Sequence, residues 1–135
     1  MDFEFTEEQL MFQTMMRDFV AKEVVPVAAR WEEEERFPWE VWREMAEMGI
    51  CGVSMPKEYG GGGGGEISLD IATEEIARGS VGLSTAYLVS CGISMDPIIK
   101  HAVAGKKREY VQRLIKGDIA DFPRSAHGSR CRPWM

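Results

Sequence analysis

Residues 67–103 read ISLDIATEEIARGSVGLSTAYLVSCGISMDPIIKHAV. Leu69, Ala72 and Ile76 recur at helical spacing, which predicts a helix over residues 67–78, broken by residues 79–82. Residues 83–91 are apolar on nearly every side, with Ala86, Tyr87, Leu88 and Val89 in succession. A helix without a polar face belongs at the centre of a fold. Asp96 and Pro97 then offer an N-cap and a first helical position, and Ile98, Ile99, Ala102 and Val103 carry the pattern to a stop at Gly105. Neither this stretch nor its flanks show a sustained alternation of period two. The expectation is an all-α fold, a bundle of five or six helices.

The flanks repeat the pattern. Thr6 reads as an N-cap, with Glu7 and Glu8 in the first turn and Gln9 at the capping-box position. Phe12, Met15, Met16 and Phe19 supply the apolar face, and Pro26 ends or kinks the helix. Glu32 to Glu35 read as a solvated turn or helix end. Pro38 suits the first position of a second helix, with Val41, Trp42, Met45 and Met48 as its stripe and Gly49 as its stop. Residues 50–55 are a short apolar segment, residues 56–59 a turn, and residues 60–65 six consecutive glycines. That run formally contains GxGxxG. No strand precedes it, so it reads as a flexible loop rather than a dinucleotide cradle. A last helix begins near Lys106, buries Tyr110, Val111, Leu114 and Ile115, and stops at Gly117.

Composition narrows the class. At 135 residues the chain suits one domain. It is 44% hydrophobic and 28% charged, which excludes a disordered or fibrous protein. No apolar run reaches membrane-spanning length, and the acidic start is unlike a signal peptide. Cys51, Cys91 and Cys131 make no CxxC pair, which points to a reducing, cytoplasmic setting. The net charge of −6 is uneven. Residues 1–59 carry 14 acids against 6 bases, whereas residues 100–135 carry 9 bases against 3 acids. An acidic N-terminal half argues against nucleic acid as the main ligand.

Few residues carry chemistry. His101 and His127 are the only histidines, and His101 reads as solvent-facing. No Cys/His/Asp/Glu group has metal-ligand spacing, so no metal is expected. Ser90, Cys91 and His101 make no nucleophile–base set. Glu74 and Glu75 are adjacent and diverge by about 100° on a helix, so each reads as a cap or a solvated side chain. Methionines 11, 15, 16, 45 and 48 read as core filling.

Four pieces carry a family resemblance: Phe37-Pro38 before a Trp/Met helix, PKEYGG at 56–61, EEIAR at 74–78, and the 107–117 helix ending in Gly-Asp. In this order and spacing, over about residues 5–120, the chain resembles the N-terminal helical domain of acyl-CoA dehydrogenases. The resemblance implies a parent flavoenzyme using FAD, homo-oligomeric, converting an acyl-CoA to its trans-2-enoyl-CoA. Its catalytic glutamate and main FAD contacts lie in domains that follow this one. No catalytic or cofactor-binding residue is therefore expected here, and the isolated chain is expected to be inactive and to hold FAD weakly. By position the resemblance assigns the acyl-chain wall to Thr85, Leu88 and Gly92.

Residues 121–135, DFPRSAHGSRCRPWM, depart from the family, which continues with a pattern close to Leu-Thr-Glu-Pro-Gly-x-Gly-Ser-Asp. Codons compatible with residues 126–132, shifted by one base, spell Leu-Thr-Glu-Ala-Gly-Ala-Gly. The division expected is a helical domain at 1–120 and a disordered or frame-shifted tail at 121–135. The competing reading is a free-standing helical binding or scaffold module.

Overall fold

The computed structural model describes residues 4–120; the tail expectation lies outside the described residues. The described part is helical without strands. The helices are α1 (Glu7–Phe19), α2 (Ala28–Glu33), α3 (Trp39–Glu47), α4 (Gly65–Gly79), α5 (Val81–Leu88), α6 (Met95–His101) and α7 (Ala104–Ile115). Six correspond to the expected ones, and α2 is a short addition that ends within the acidic run read as a solvated turn or helix end. One π-turn, Val20–Val24, extends α1, and another, Val89–Ile93, extends α5. Each is closed by a bond spanning five residues: Val25 N–H to the Val20 carbonyl at 3.0 Å, and Ser94 N–H to the Val89 carbonyl at 2.9 Å.

Local signals set most boundaries. Thr6 and Gln9 form the full capping box on α1. Gly49 and Gly117 follow α3 and α7 with φ of 79° and 74°, left-handed geometry that glycine adopts without a Cβ penalty. Other boundaries correct the sequence reading. Pro38 is the N-cap of α3 rather than its first residue, and Met48 is exposed rather than part of the buried stripe. The break after α4 is at Ser80, whose hydroxyl caps α5 by accepting from Leu83 N–H at 3.1 Å, so Gly82 lies inside the helix. Ala102 turns extended and ends α6, so Gly105 lies inside α7 instead of stopping its predecessor. Asp96 lies within the first turn of α6, paired with Lys100 at 2.7 Å.

The bundle is built around α4, against which both α1 and α5 pack. Met16, Trp42, Met45, Ile50, Ile76, Tyr87 and Leu114 are among its fully buried side chains. Glu75 lies in this interior with no exposed surface, which corrects its reading as a solvated residue. Arg17 reaches it from α1 with two hydrogen bonds, Nη2–Oε1 at 2.8 Å and Nε–Oε2 at 3.2 Å. Arg78, one turn along α4, adds Nε–Oε2 at 3.1 Å. A buried carboxylate costs several kcal/mol unless charge and hydrogen bonds compensate it. The two guanidiniums do so here and bind α1 to α4.

The glycine run also departs from its reading as a flexible loop. Gly60 N–H donates to Lys57, Gly61 to Pro56, Gly62 to Gly52, Gly63 to Met55 and Gly64 to Val53, all carbonyl acceptors at 2.8–3.2 Å. The run folds back on the segment after α3. A Cβ at Gly61 would collide with the Met55 backbone.

Glu75→Gln is expected to lower the melting temperature clearly, whereas Glu74→Gln, on the exposed side of α4, should leave it nearly unchanged. Thermal unfolding followed by circular dichroism compares the two.

Candidate functional site: an apolar stripe beside a cleft

Ser80 starts α5 and fixes its rotation. Leu83, Ser84, Ala86, Tyr87, Ser90 and Cys91 turn inward. Tyr87 is fully buried and donates from its hydroxyl to the Ile50 carbonyl at 2.9 Å. Ser84 donates to the Thr73 carbonyl at 2.8 Å and ties α5 to α4. The opposite side faces out. Val81 is 70% exposed, Ile93 is 63% exposed, Thr85 is exposed and Leu88 is half-buried. The segment is therefore not buried all round, as its sequence suggested. Its inner side fills the core, and its outer side is an uncovered apolar stripe.

The three sequence candidates lie along this stripe at intervals of three and four residues. Thr85 returns its hydroxyl to the Val81 carbonyl at 2.9 Å, which leaves its methyl as the available surface. The space a side chain at Gly92 would need is already partly taken, with Leu69 Cδ2 at 2.9 Å and Leu88 Cδ1 at 3.4 Å from its ideal Cβ position. The structure thus brings Gly92 and Leu88 together, and the gap between them is shared with Leu69.

Thr85 also opens on a cleft of about 460 Å³. Trp31, Phe37 and Pro38 form one wall, Ser80, Leu83 and Ala86 the other, with Glu32, Glu35 and Arg36 on the rim. Leu88 and Gly92 do not line it. Sequence reading missed the first wall. Its one signal was Phe37-Pro38, noted only as a family mark. Arg36 is locked between carboxylates, at 2.6 Å from Glu34 and 2.8 Å from Glu40. The pairing raises its pKa, with Glu40 the larger cause. Arg30 and Arg36 hold Glu34 below its usual value, and Arg36 does the same to Glu40. The rim's guanidinium is thus already neutralised. Among the described residues no His/Cys/Asp/Glu group is placed to hold a metal ion.

The family model described as "Acyl-CoA dehydrogenase, N-terminal domain" matches residues 6–118. The chain belongs to the acyl-CoA dehydrogenase family. The probable acyl-CoA dehydrogenase YngJ of Bacillus subtilis is 39% identical over 119 residues, covering 87% of this chain and 31% of that protein. Butyryl-CoA dehydrogenase from Megasphaera elsdenii superimposes with a TM-score of 0.77 at 26% identity, over 87% of this chain and 32% of that one. An acyl-CoA dehydrogenase complexed with FAD from Bacillus anthracis gives 0.77 at 28% identity, over 87% and 20%. The chain spans less than a third of the length of YngJ.

Within this acyl-CoA dehydrogenase domain the inward side of the same helix sets an alkaline limit. Burial pushes the Tyr87 phenol and the Cys91 thiol well above their ordinary values, and Cys51 adds to the effect on Cys91. Unfolding releases them to about 10 and about 8.5. Above those values the unfolded chain binds fewer protons than the folded one, so stability falls as pH rises. Urea midpoints are expected to drop between about pH 8 and about pH 10.5, and Cys91→Ala should flatten the early part of that decline.

Proposed function

We propose that residues 1–120 act as the helical N-terminal domain of an FAD-dependent acyl-CoA dehydrogenase, with residues 121–135 outside that domain. The proposed parent reaction is α,β-dehydrogenation of an acyl-CoA thioester to a trans-2-enoyl-CoA, for which FAD supplies the hydride acceptor. The observation that carries this reading is the uncovered stripe of Val81, Thr85, Leu88 and Ile93 on a helix whose other side is locked into the core. Such a surface is the wall of something completed by other chain segments.

The described residues of this chain do not fit the flavin or the chemistry. A pyrophosphate seat needs free backbone N–H groups, and in the glycine run Gly60 to Gly64 spend theirs on carbonyls. A base for the α-proton needs an unengaged carboxylate in a dry site. Glu75 is the only fully buried carboxylate among the described residues, and both its oxygens are held by Arg17 and Arg78. Flavin binding and proton abstraction in this proposal belong to residues outside the described ones.

What the domain contributes is exclusion of water along an acyl chain. Each methylene covered by Thr85, Leu88 and their neighbours is worth about 0.8 kcal/mol, roughly fourfold in affinity. In the same proposal the partner surfaces, including further copies of the protein, cover the remaining exposed apolar side chains. The cytoplasm is the setting proposed, supported by the free thiols of Cys51 and Cys91. No helix among the described residues is long and apolar enough to cross a membrane.

The test is a chimera in which residues 1–120 replace the matching domain of the Bacillus subtilis relative. It is expected to bind FAD stoichiometrically and to lose flavin colour when an acyl-CoA is added anaerobically. Leu88→Trp in the chimera should shift preference toward shorter acyl chains, by about fourfold per methylene excluded. A folded, flavin-loaded chimera that no acyl-CoA reduces, or whose chain-length preference ignores Leu88→Trp, would sink the reading.

A further inference from the structure

A second apolar surface lies between α1 and the end of α3. It is an open groove of about 700 Å³, with Leu10, Met11, Met15, Phe19 and Met48 among its lining. Three of these are large apolar side chains left in water: Met11 is 65% exposed, Leu10 is 48% exposed and Met48 is 44% exposed. Single exposed apolar residues are ordinary, but three around one groove make a patch. Lys22, Glu23 and Glu44 stand at its edge.

Among the described residues the methionines differ in exposure, with half-buried Met15 between two extremes. Met16 and Met45 are fully buried, and Met55 and Met95 are 2% exposed. Met11 and Met48 are the two with substantial exposure among the described residues, and both open on the groove. Met11 comes from α1 and Met48 caps α3, so the two thioethers approach the groove from separate helices.

We propose that Met11 and Met48 form an oxidation-sensitive pair that switches this groove from apolar to polar. The oxidant class is a peroxide. The thioether sulfur attacks one oxygen of hydrogen peroxide, the O–O bond breaks as an S–O bond forms, and the displaced hydroxide takes the proton from the sulfur-bound hydroxyl, leaving the sulfoxide and water. Sulfur is oxidised by two electrons and the peroxide is reduced by two. The product is a chiral, polar sulfoxide that methionine sulfoxide reductases reverse. Both groups stand outside the core, so the change rewrites the surface and leaves the bundle folded. This separates the pair from Met16 and Met45, whose oxidation would disrupt packing.

The experiment is a time course of the folded chain in dilute hydrogen peroxide, read by peptide mass mapping, alongside circular dichroism and binding of an apolar dye. Met11 and Met48 are expected to gain one oxygen each about tenfold faster than Met16, Met45, Met55 and Met95. Dye binding should fall in step with their oxidation while the helical signal persists. The double variant Met11→Gln/Met48→Gln should bind dye as weakly as the oxidised chain and lose peroxide sensitivity of that signal, and sulfoxide reductase should restore binding to the oxidised wild type. Equal oxidation rates at the buried methionines, or dye binding indifferent to oxidation of the pair, would overturn the proposal.

Discussion

The carboxylate of Glu75 is the constraint on which the rest of the structure depends. It sits without exposed surface on the central helix and is held from two sides by guanidiniums. The charge is tolerable there only while α1 lies across α4 in a position that brings Arg17 within reach. That crossing places the α1 π-turn against the same helix and leaves the other side of α4 for α5. The rotation of α5, fixed by the Ser80 cap and the bond from Ser84 to Thr73, then decides which of its apolar residues fill the core and which face outward.

The functional reading follows from that rotation. Tyr87 and Cys91 turn inward and are sealed, while Thr85 and Leu88 turn outward on a rigid base. A binding wall needs fixed shape more than chemistry, and the described residues supply shape. Their one buried carboxylate is occupied with structure, and the amides of Gly60 to Gly64 are occupied with carbonyls. The division of labour is physical. In the proposed function this domain orients the acyl chain and leaves the reaction to residues outside the described ones.

What the sequence made legible is what short-range rules govern. Thr6 with Gln9, and the glycines after α3 and α7, act through bonds spanning three to five residues, and each was readable from a single window. The all-α class and the order of the helices came from period alone. Glu75 was misread because Arg17, one of its two partners, is 58 residues away, and Arg78 within EEIAR lies three and four residues from the two glutamates and so does not say which faces inward. The glycine run was misread for the same kind of reason. Its conformation is imposed by carbonyls of residues 52–57, not by glycine itself. Gly82 and Gly105 looked like stops but sit inside helices, because the true boundaries are set by the Ser80 cap and the extended Ala102. Of the candidate site, the family resemblance pointed to Thr85, Leu88 and Gly92, which the structure places along one side of α5 and its extension. The sequence did not yield the cleft wall of Trp31 and Phe37, which is brought to Thr85 only by tertiary packing.

The central claim is that this domain carries shape and not redox chemistry. The most direct measurement is equilibrium dialysis of the purified chain against FAD, followed by its flavin absorbance. The account predicts no stoichiometric flavin on a cooperatively folded helical chain. One tightly held flavin per chain would contradict it.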